Sequence, residues 1–385
     1  MIVNNKRRLI TLREIEDISP IAGADRVEVC TVGGWKVVTK KGEFQPGDLC
    51  FYIEIDSLLD TSRPEFSFLA KENKTHHRLK TVKLKGQISE GLLLPLSSCP
   101  QKPLPSPLTR GSLNSDISWD EIFGVTKYEA PEPKVSGPKR QPGASYKTFP
   151  SFLKKTDQER IENCKQLLTN YKTKWEITRK LDGSSMTVGD YDDAGIMVRQ
   201  RSYRKTFLAT LLARLKALFK KPDTFFVCSR QVNLPDVAGC HFWSMAHKYN
   251  LRELLKGKNI ALQGELVGPG VVNGNWEGLK ENDFYVFDIW DIKNQCYYTP
   301  DQRQEWMGTY GYPAGLKHVP IIEPEMYFSD TFNTVEHLKN FCSTSHTNDE
   351  ALFNMCPEGY VWKSHSKHVV SFKCINHNYL LSKKD

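Results

Sequence analysis

Between Arg8 and Pro95 the chain is cut into short β-rich runs, "RLITLREI", "RVEVCTVGG", "WKVVTKK", "DLCFYIEI", "LKTVKLKG" and "EGLLLPL". Turn signals separate them: Gly33-Gly34, "KKGEFQPGD" from Lys40 and "TSRPE" from Thr61. Five or so strands in under a hundred residues suggest a small barrel.

Chains of 385 residues ordinarily divide into more than one unit. The β-rich portion, residues 1–100, reads as one of them, with the oligonucleotide-binding (OB) barrel as the candidate fold. Residues 101–145 contain "CPQKPLPSPLTRGS" and "YEAPEPKVSGPKRQPGASYK", dense in Pro, Ser and Gly, which is linker composition. From 146 to 385 a helical pattern such as "DQERIENCKQLLTNYK" mixes with strands such as "KNIALQGELVG", "FYVFDIWDI", "GYVWKS" and "VVSFKCI". The two kinds interleave without regular βαβ spacing, so the second unit is expected to be α+β with largely antiparallel sheets.

Composition narrows the function classes. No apolar run approaches the ~20 residues needed to cross a bilayer, and "MIVNNKRRLITLREIED" lacks the apolar centre of a secretory signal. The 10 cysteines contain no C-x-x-C pair, which argues for reduced thiols and an intracellular protein, cytoplasmic or nuclear. The net charge of +8 favours a polyanionic partner, because each cation that meets a phosphate releases counterions.

One strand carries a chemical oddity. In "EITRKLDGSSMTV", from Glu176, an amine at Lys180 is followed by a carboxylate at Asp182 and then Gly183. A lysine in a strand is ordinarily a solvated edge residue. A neutral lysine is also a good nucleophile toward phosphorus, but at a pKa near ~10.4 it needs burial, a metal or a second cation to lose its proton. Asp182 suits a metal ion, directly or through water, and Gly183 suits close approach of backbone to phosphate.

The segment K-L-D-G resembles the K-x-D-G nucleophile motif of the covalent nucleotidyltransferases, which comprise DNA ligases, RNA ligases and messenger-RNA capping enzymes. Further segments resemble that superfamily's other motifs, in its order. "FVCSRQVNL" supplies Arg230 for phosphate and the nucleic-acid end. "LQGELVGPG" supplies Glu265 for ribose and metal-bound water. "FYVFDIWD" supplies Phe287 to stack on the purine, beside Asp288. "PEGYVWK" supplies Glu358 near the metal, and "VVSFKCIN" supplies Lys373 for the α-phosphate. Each residue alone would read as core or surface; the ordered set carries the resemblance. With the barrel segments "ISPIAGADRVEV" and "YIEIDSLL", the chain resembles RNA ligases of the Naegleria and Deinococcus type along nearly its whole length.

The resemblance implies an α+β chain: an OB-fold nucleic-acid-binding barrel, a linker, and a nucleotidyltransferase (adenylyltransferase) domain of antiparallel sheets. It implies an ATP-dependent enzyme that joins 3'-hydroxyl to 5'-phosphate RNA ends through AMP on Lys180, with Mn2+ or Mg2+, and RNA as partner, in nicked duplex RNA or an RNA/DNA hybrid. Lys180, Arg230 and Lys373 would be catalytic. Glu176, Thr178, Lys180, Gly183, Ser185, Arg230, Glu265, Phe287 and Lys373 would bind the nucleotide, and Asp182, Glu265 and Glu358 the metal. Ser185 stands where related ligases often have asparagine, and Ser371 where some have a lysine. On the barrel, Lys36, Lys40, Lys41, Arg78, Lys80, Lys83 and Lys85 are the candidates for nucleic-acid contact. A DNA-nick ligase or capping-type guanylyltransferase is the alternative, although those enzymes typically carry a further module after the Lys373 motif. A non-enzymatic RNA-binding protein is the third reading. Separately, "RQRSYRKTFLATLLARLKALFKKPD", from Arg199, places leucines at helical spacing among eight basic residues and predicts a basic amphipathic helix.

Overall fold

The computed structural model describes residues 2–3, 6–101, 108–109, 117–128, 147–191, 223–272, 275–344 and 356–382. The basic helix expected over 199–223 falls outside these except for its last residue. No helix among the described residues is long and apolar enough to cross a membrane.

The N-terminal strands pair antiparallel throughout. Leu49–Ile53 lies between Ile10–Glu14 and Leu92–Pro95, and Val27–Val32 lies between Asp17–Pro20 and Trp35–Lys40. Two-residue alternation explains the last strand: Trp35, Val37 and Thr39 are buried while Lys36 and Lys40 are exposed. Together the strands make an OB-fold barrel, with Trp35, Val37, Tyr52 and Leu93 in one part of its core and Leu12, Phe51, Ile53 and Leu59 in another. The core also draws on residues beyond 100. The short helix Trp119–Phe123 packs Trp119 and Phe123 on Phe51, with ring centroids 4.8 and 5.0 Å away. Its Asp120 carboxylate accepts the backbone N–H groups of Leu9 and Ile10, and Thr126–Lys127 pairs with Ser57–Asp60.

The second domain is built on two sheets. One orders Lys147–Thr148, Val232–Asn233, Phe226–Cys228, Ser184–Asp190, Ile260–Val267, Asp283–Asp291 and Cys296–Tyr297, with Lys317–His318 paired parallel to Asp283–Asp291. The other orders Glu159–Arg160, Ser371–Ile375, Gly359–Ser364, Trp175–Lys180 and Ile321–Met326. Helices His241–Lys248 and Leu251–Leu255 bury apolar side chains on the first sheet. Helix Val335–Thr344 does so on the second. Between the sheets lies a small cluster of Leu181, Val267, Tyr285 and Val319, with Phe287 half-buried against it.

The helix expected in "DQERIENCKQLLTNYK" is absent. Glu159–Arg160 is a strand that pairs parallel with Ser371–Ile375, and Ile161–Asn163 and Lys165–Thr169 are 3-10 turns. Tertiary contacts override local propensity here, because this stretch is the seam to the barrel. The Glu162 carbonyl accepts from Gly34 N (3.1 Å), and the Asn163 side chain meets Trp35 Nε1 (3.0 Å), Arg13 and Glu54. A Cβ on Gly34 would sit 2.6 Å from Glu162 Cα, so only glycine allows this approach. Buried charges complete the seam: Lys339 Nζ lies 2.6 Å from Glu90 Oε2, and Arg160 reaches both Glu90 and Glu162 at 3.4 Å.

Candidate active site

Strand register sets the surroundings of Lys180. Lys180 is the last residue of its strand and faces Gly359, which puts Glu358 alongside; the amine donates to Glu358 Oε2 at 2.6 Å. Leu181, Asp182 and Gly183 then carry the chain to the other sheet, where Ser185 faces Glu265. A Cβ on Gly183 would lie 2.3 Å from the Leu266 carbonyl oxygen and 2.6 Å from Val267 Cγ1. The close approach this glycine makes in the structure is thus to the neighbouring strand, a packing reason that the motif does not reveal.

Electrostatics follow from the crowding. Burial pulls the Lys180 amine down, but Glu358, Glu265 and Asp182 outweigh it and hold its pKa above the ordinary lysine value. Burial pushes Glu265 up to about 8; Lys180 opposes this while Glu358 and Asp182 add to it. Glu358 is raised too, by burial first, with Asp182 adding. Three carboxylates crowd around one amine, and a divalent cation would favour their charged forms against the burial that disfavours them. Among the described residues no group of three or more His, Cys, Asp and Glu side chains is placed to hold an ion directly.

A second cluster has the opposite sign. Asp157 lies 3.5 Å from Lys373 Nζ, 3.4 Å from Arg230 Nη2 and 3.6 Å from Lys127 Nζ. Burial would raise the Asp157 carboxyl, but these cations and Arg7 hold it far below the carboxylate range. Burial, joined by Arg7, Lys180 and Arg160, brings Lys373 down to about 8 against the pull of Asp157. Arg7 and Lys127 come from the N-terminal half and carry no motif that would have singled them out. Asp157 was likewise invisible, placed in what read as a helix.

By two-residue alternation, Glu176, Thr178 and Lys180 lie on one face of their strand. Glu176 is buried against Arg303, and Thr178 Oγ1 donates to the Val361 carbonyl at 3.5 Å. Phe287 is the extra residue of a β-bulge, since Gln263 faces Asp288 while Gly264 faces Val286. A bulge re-aims its side chain. Lys363 fixes it by donating to the Phe287 carbonyl and to Asp288 Oδ1 (2.7 Å), with its ammonium 5.3 Å from the ring centroid. Ser185 Oγ is 3.1 Å from Thr156 Oγ1.

Lys40, Lys41, Lys83 and Lys85 are exposed and Lys80 is half-buried. Lys36 is paired with Glu336 of the second domain at 2.8 Å; Arg78 is paired with Asp56 at 2.6 Å and lies 4.0 Å over the Tyr128 ring. Both ion pairs are solvent-accessible and therefore weak.

A family profile described as an OB-fold domain matches residues 9–96, and one described as RNA ligase matches residues 173–375. No curated protein sequence matched. Solved structures do. Naegleria gruberi RNA ligase with PPi is similar at 34% identity and a TM-score of 0.75, over 97% of this chain and 98% of that one. A glutamate-to-alanine mutant of that ligase with ATP and Mn gives 33% identity and a TM-score of 0.76, over 98% and 100%. A lysine-to-methionine mutant with AMP and Mn gives 34% and 0.74, over 97% and 98%. With both domains matched and the likeness running along almost the full length of each chain, this protein belongs to the RNA ligase family.

Proposed function

We propose that this RNA ligase is ATP-dependent and seals nicks through an AMP carried on Lys180. The observation that carries the reading is the Lys180 amine held at the meeting of two sheets, between a carboxylate cluster and a cationic cluster. The Naegleria enzyme's ATP, AMP and Mn complexes support extending those ligands to this chain.

In the first step the Lys180 amine gives a proton to Glu358, to which it already donates at 2.6 Å, and its nitrogen attacks the α-phosphorus; an N–P bond forms, the bond to the bridging oxygen breaks and pyrophosphate departs. Lys373 and Arg230, with Lys127 beside them, provide the positive surface on which the phosphates rest; the charge of Asp157 is what they surrender or share when phosphate arrives. Phe287, set by its bulge, provides the plate for adenine, and Glu176, Thr178 and Ser185 are assigned to the same nucleotide. A Mn2+ or Mg2+ ion held through water by Asp182, Glu265 and Glu358 would neutralise α-phosphate charge and compete with the amine for those carboxylates. AMP then passes to a 5'-phosphate, and a 3'-hydroxyl displaces it to close the phosphodiester. Such transfers need positioning and charge neutralisation more than covalent help.

The exposed Lys40, Lys41, Lys83 and Lys85, with Lys80, are assigned to grip of the duplex flanking the break. The ten free cysteines, eight of them buried, support an intracellular site of action, in cytoplasm or nucleus. The test is a set of otherwise identical nicked duplexes, with RNA or DNA on the 3'-hydroxyl side, beside unpaired RNA ends. Sealing that favours an RNA 3'-hydroxyl in duplex is expected. Equal sealing of an all-DNA nick would overturn the substrate assignment in favour of a DNA-nick ligase, and an adduct formed with GTP rather than ATP would point to a capping-type transferase.

A further inference from the structure

Beside the Lys180 turn lies a loop that none of the motifs includes, Asn275 to Leu279, and at its centre is a carboxylate, Glu277, only 1% exposed. Its Oε2 accepts from Arg179 Nη2 at 2.9 Å, and its Oε1 accepts from the backbone N–H of Asp182 at 3.0 Å. These partners bracket the nucleophile: Arg179 precedes it by one residue and Asp182 follows it by two. A single side chain therefore spans the point where the chain leaves one sheet for the other, just where strand pairing no longer fixes the backbone.

The loop is itself anchored to the other walls of the site. Gly278 N donates to the Asn275 carbonyl (2.9 Å), and Asn275 Nδ2 donates to the Leu279 carbonyl (2.8 Å). Trp276 Nε1 donates to the Cys356 carbonyl at 2.8 Å, two residues ahead of Glu358. The Trp276 ring meets Tyr379 edge-on at 5.0 Å, and the Tyr379 hydroxyl is hydrogen-bonded to the Asp182 carboxylate. Asp182, Glu358 and the Lys180 turn are thus referred to one small loop.

We propose that Glu277 is a positioning residue for the adenylation step: it holds the Arg179–Asp182 turn so that the Lys180 amine meets the α-phosphate in line. This rests on the lysyl-AMP reading above. A buried ion pair with a purely structural role would affect folding stability alone; a positioning role separates the chemical step from nucleotide binding.

The experiment is single-turnover transfer of α-phosphate label from ATP with manganese, at saturating ATP, using the full chain and its Glu277→Gln and Glu277→Asp variants. Binding of ATP and melting temperature are measured on the same samples. Glutamine retains one acceptor but turns an N–H group toward a donor, so one of the two bonds is lost. The expected rate loss is on the order of tenfold to a hundredfold per folded molecule, with ATP affinity within about threefold of the parent. Aspartate, which keeps the charge but reaches less far, is expected to fall between the two. The double variant Arg179→Met with Glu277→Gln removes the buried charges together; it keeps the test decisive if the single variant does not fold, and it should remain slow. A rate per folded molecule equal to the parent's, in either Gln variant, overturns the proposal while leaving the lysyl-AMP reading intact. No label on the folded parent overturns both.

Discussion

Lys373 shows how a residue can be singled out from sequence while its electrostatics cannot. The motif order singles it out, but that burial brings its amine down to about 8 follows from the fold, with Arg7, Lys180 and Arg160 adding to it. An arriving phosphate stabilises the charged amine, so the bound state has the higher pKa. Below about pH 8 the free enzyme already carries the proton; above it, ATP binding must take one up, and affinity falls as pH rises. Calorimetry in two buffers of different ionisation enthalpy should report uptake approaching about one proton in that range, absent in Lys373→Met. Equal uptake in both proteins would mean that Lys373 does not meet the phosphates. Lys180, Glu265 and Glu358 were singled out in the same way, by the order of their segments, and the structure brings the three together. Glu277, Asp157, Lys127 and Arg7 were not, because each acts through partners distant in the chain: Arg7 and Lys127 lie 150 and 30 residues from Asp157.

At the scale of elements, the alternating strands of the barrel and the long strands Ile260–Val267 and Asp283–Asp291 were readable from hydrophobic pattern alone. The stretch around Glu159 to Thr169 was misread because its apolar spacing suits a helix, whereas edge pairing to Ser371–Ile375 and the bonds from Gly34 and Trp35 decide its conformation. The bulge at Phe287 left no signal in composition. The turn Leu181–Gly183 is the element on which most depends, since it joins the two sheets next to Lys180. Gly183→Ala forces a Cβ to within 2.3 Å of the Leu266 oxygen. Overpacking of this kind costs about 1–3 kcal/mol; relieved by displacing the turn, it should slow self-adenylation roughly tenfold to a hundredfold. Circular dichroism would check that the fold persists, and a variant that labels at the parent rate would show that the turn tolerates the shift.

Across the whole molecule, the barrel is docked through buried charge rather than a loose tether. Glu90 is the centre of that seam: burial would raise its carboxyl, but Lys339, His377 and Arg160 hold it below its ordinary value of 4.5. The stability it contributes is therefore present above pH 4.5 and is lost as pH falls. Glu90→Gln leaves Lys339 and Arg160 under-compensated and should cost about 3 kcal/mol near neutrality, with parent and variant converging under acid in urea unfolding. A constant gap down to low pH would remove Glu90 from the seam's electrostatics. What the two domains together are held to do rests on one chemical event at Lys180, and the direct measurement is incubation of the parent and Lys180→Ala with α-phosphate-labelled ATP and manganese, followed by denaturation. Label that remains on the parent and is absent from the variant is the predicted result; folded parent protein, free of pre-bound AMP, that takes no label would contradict the account.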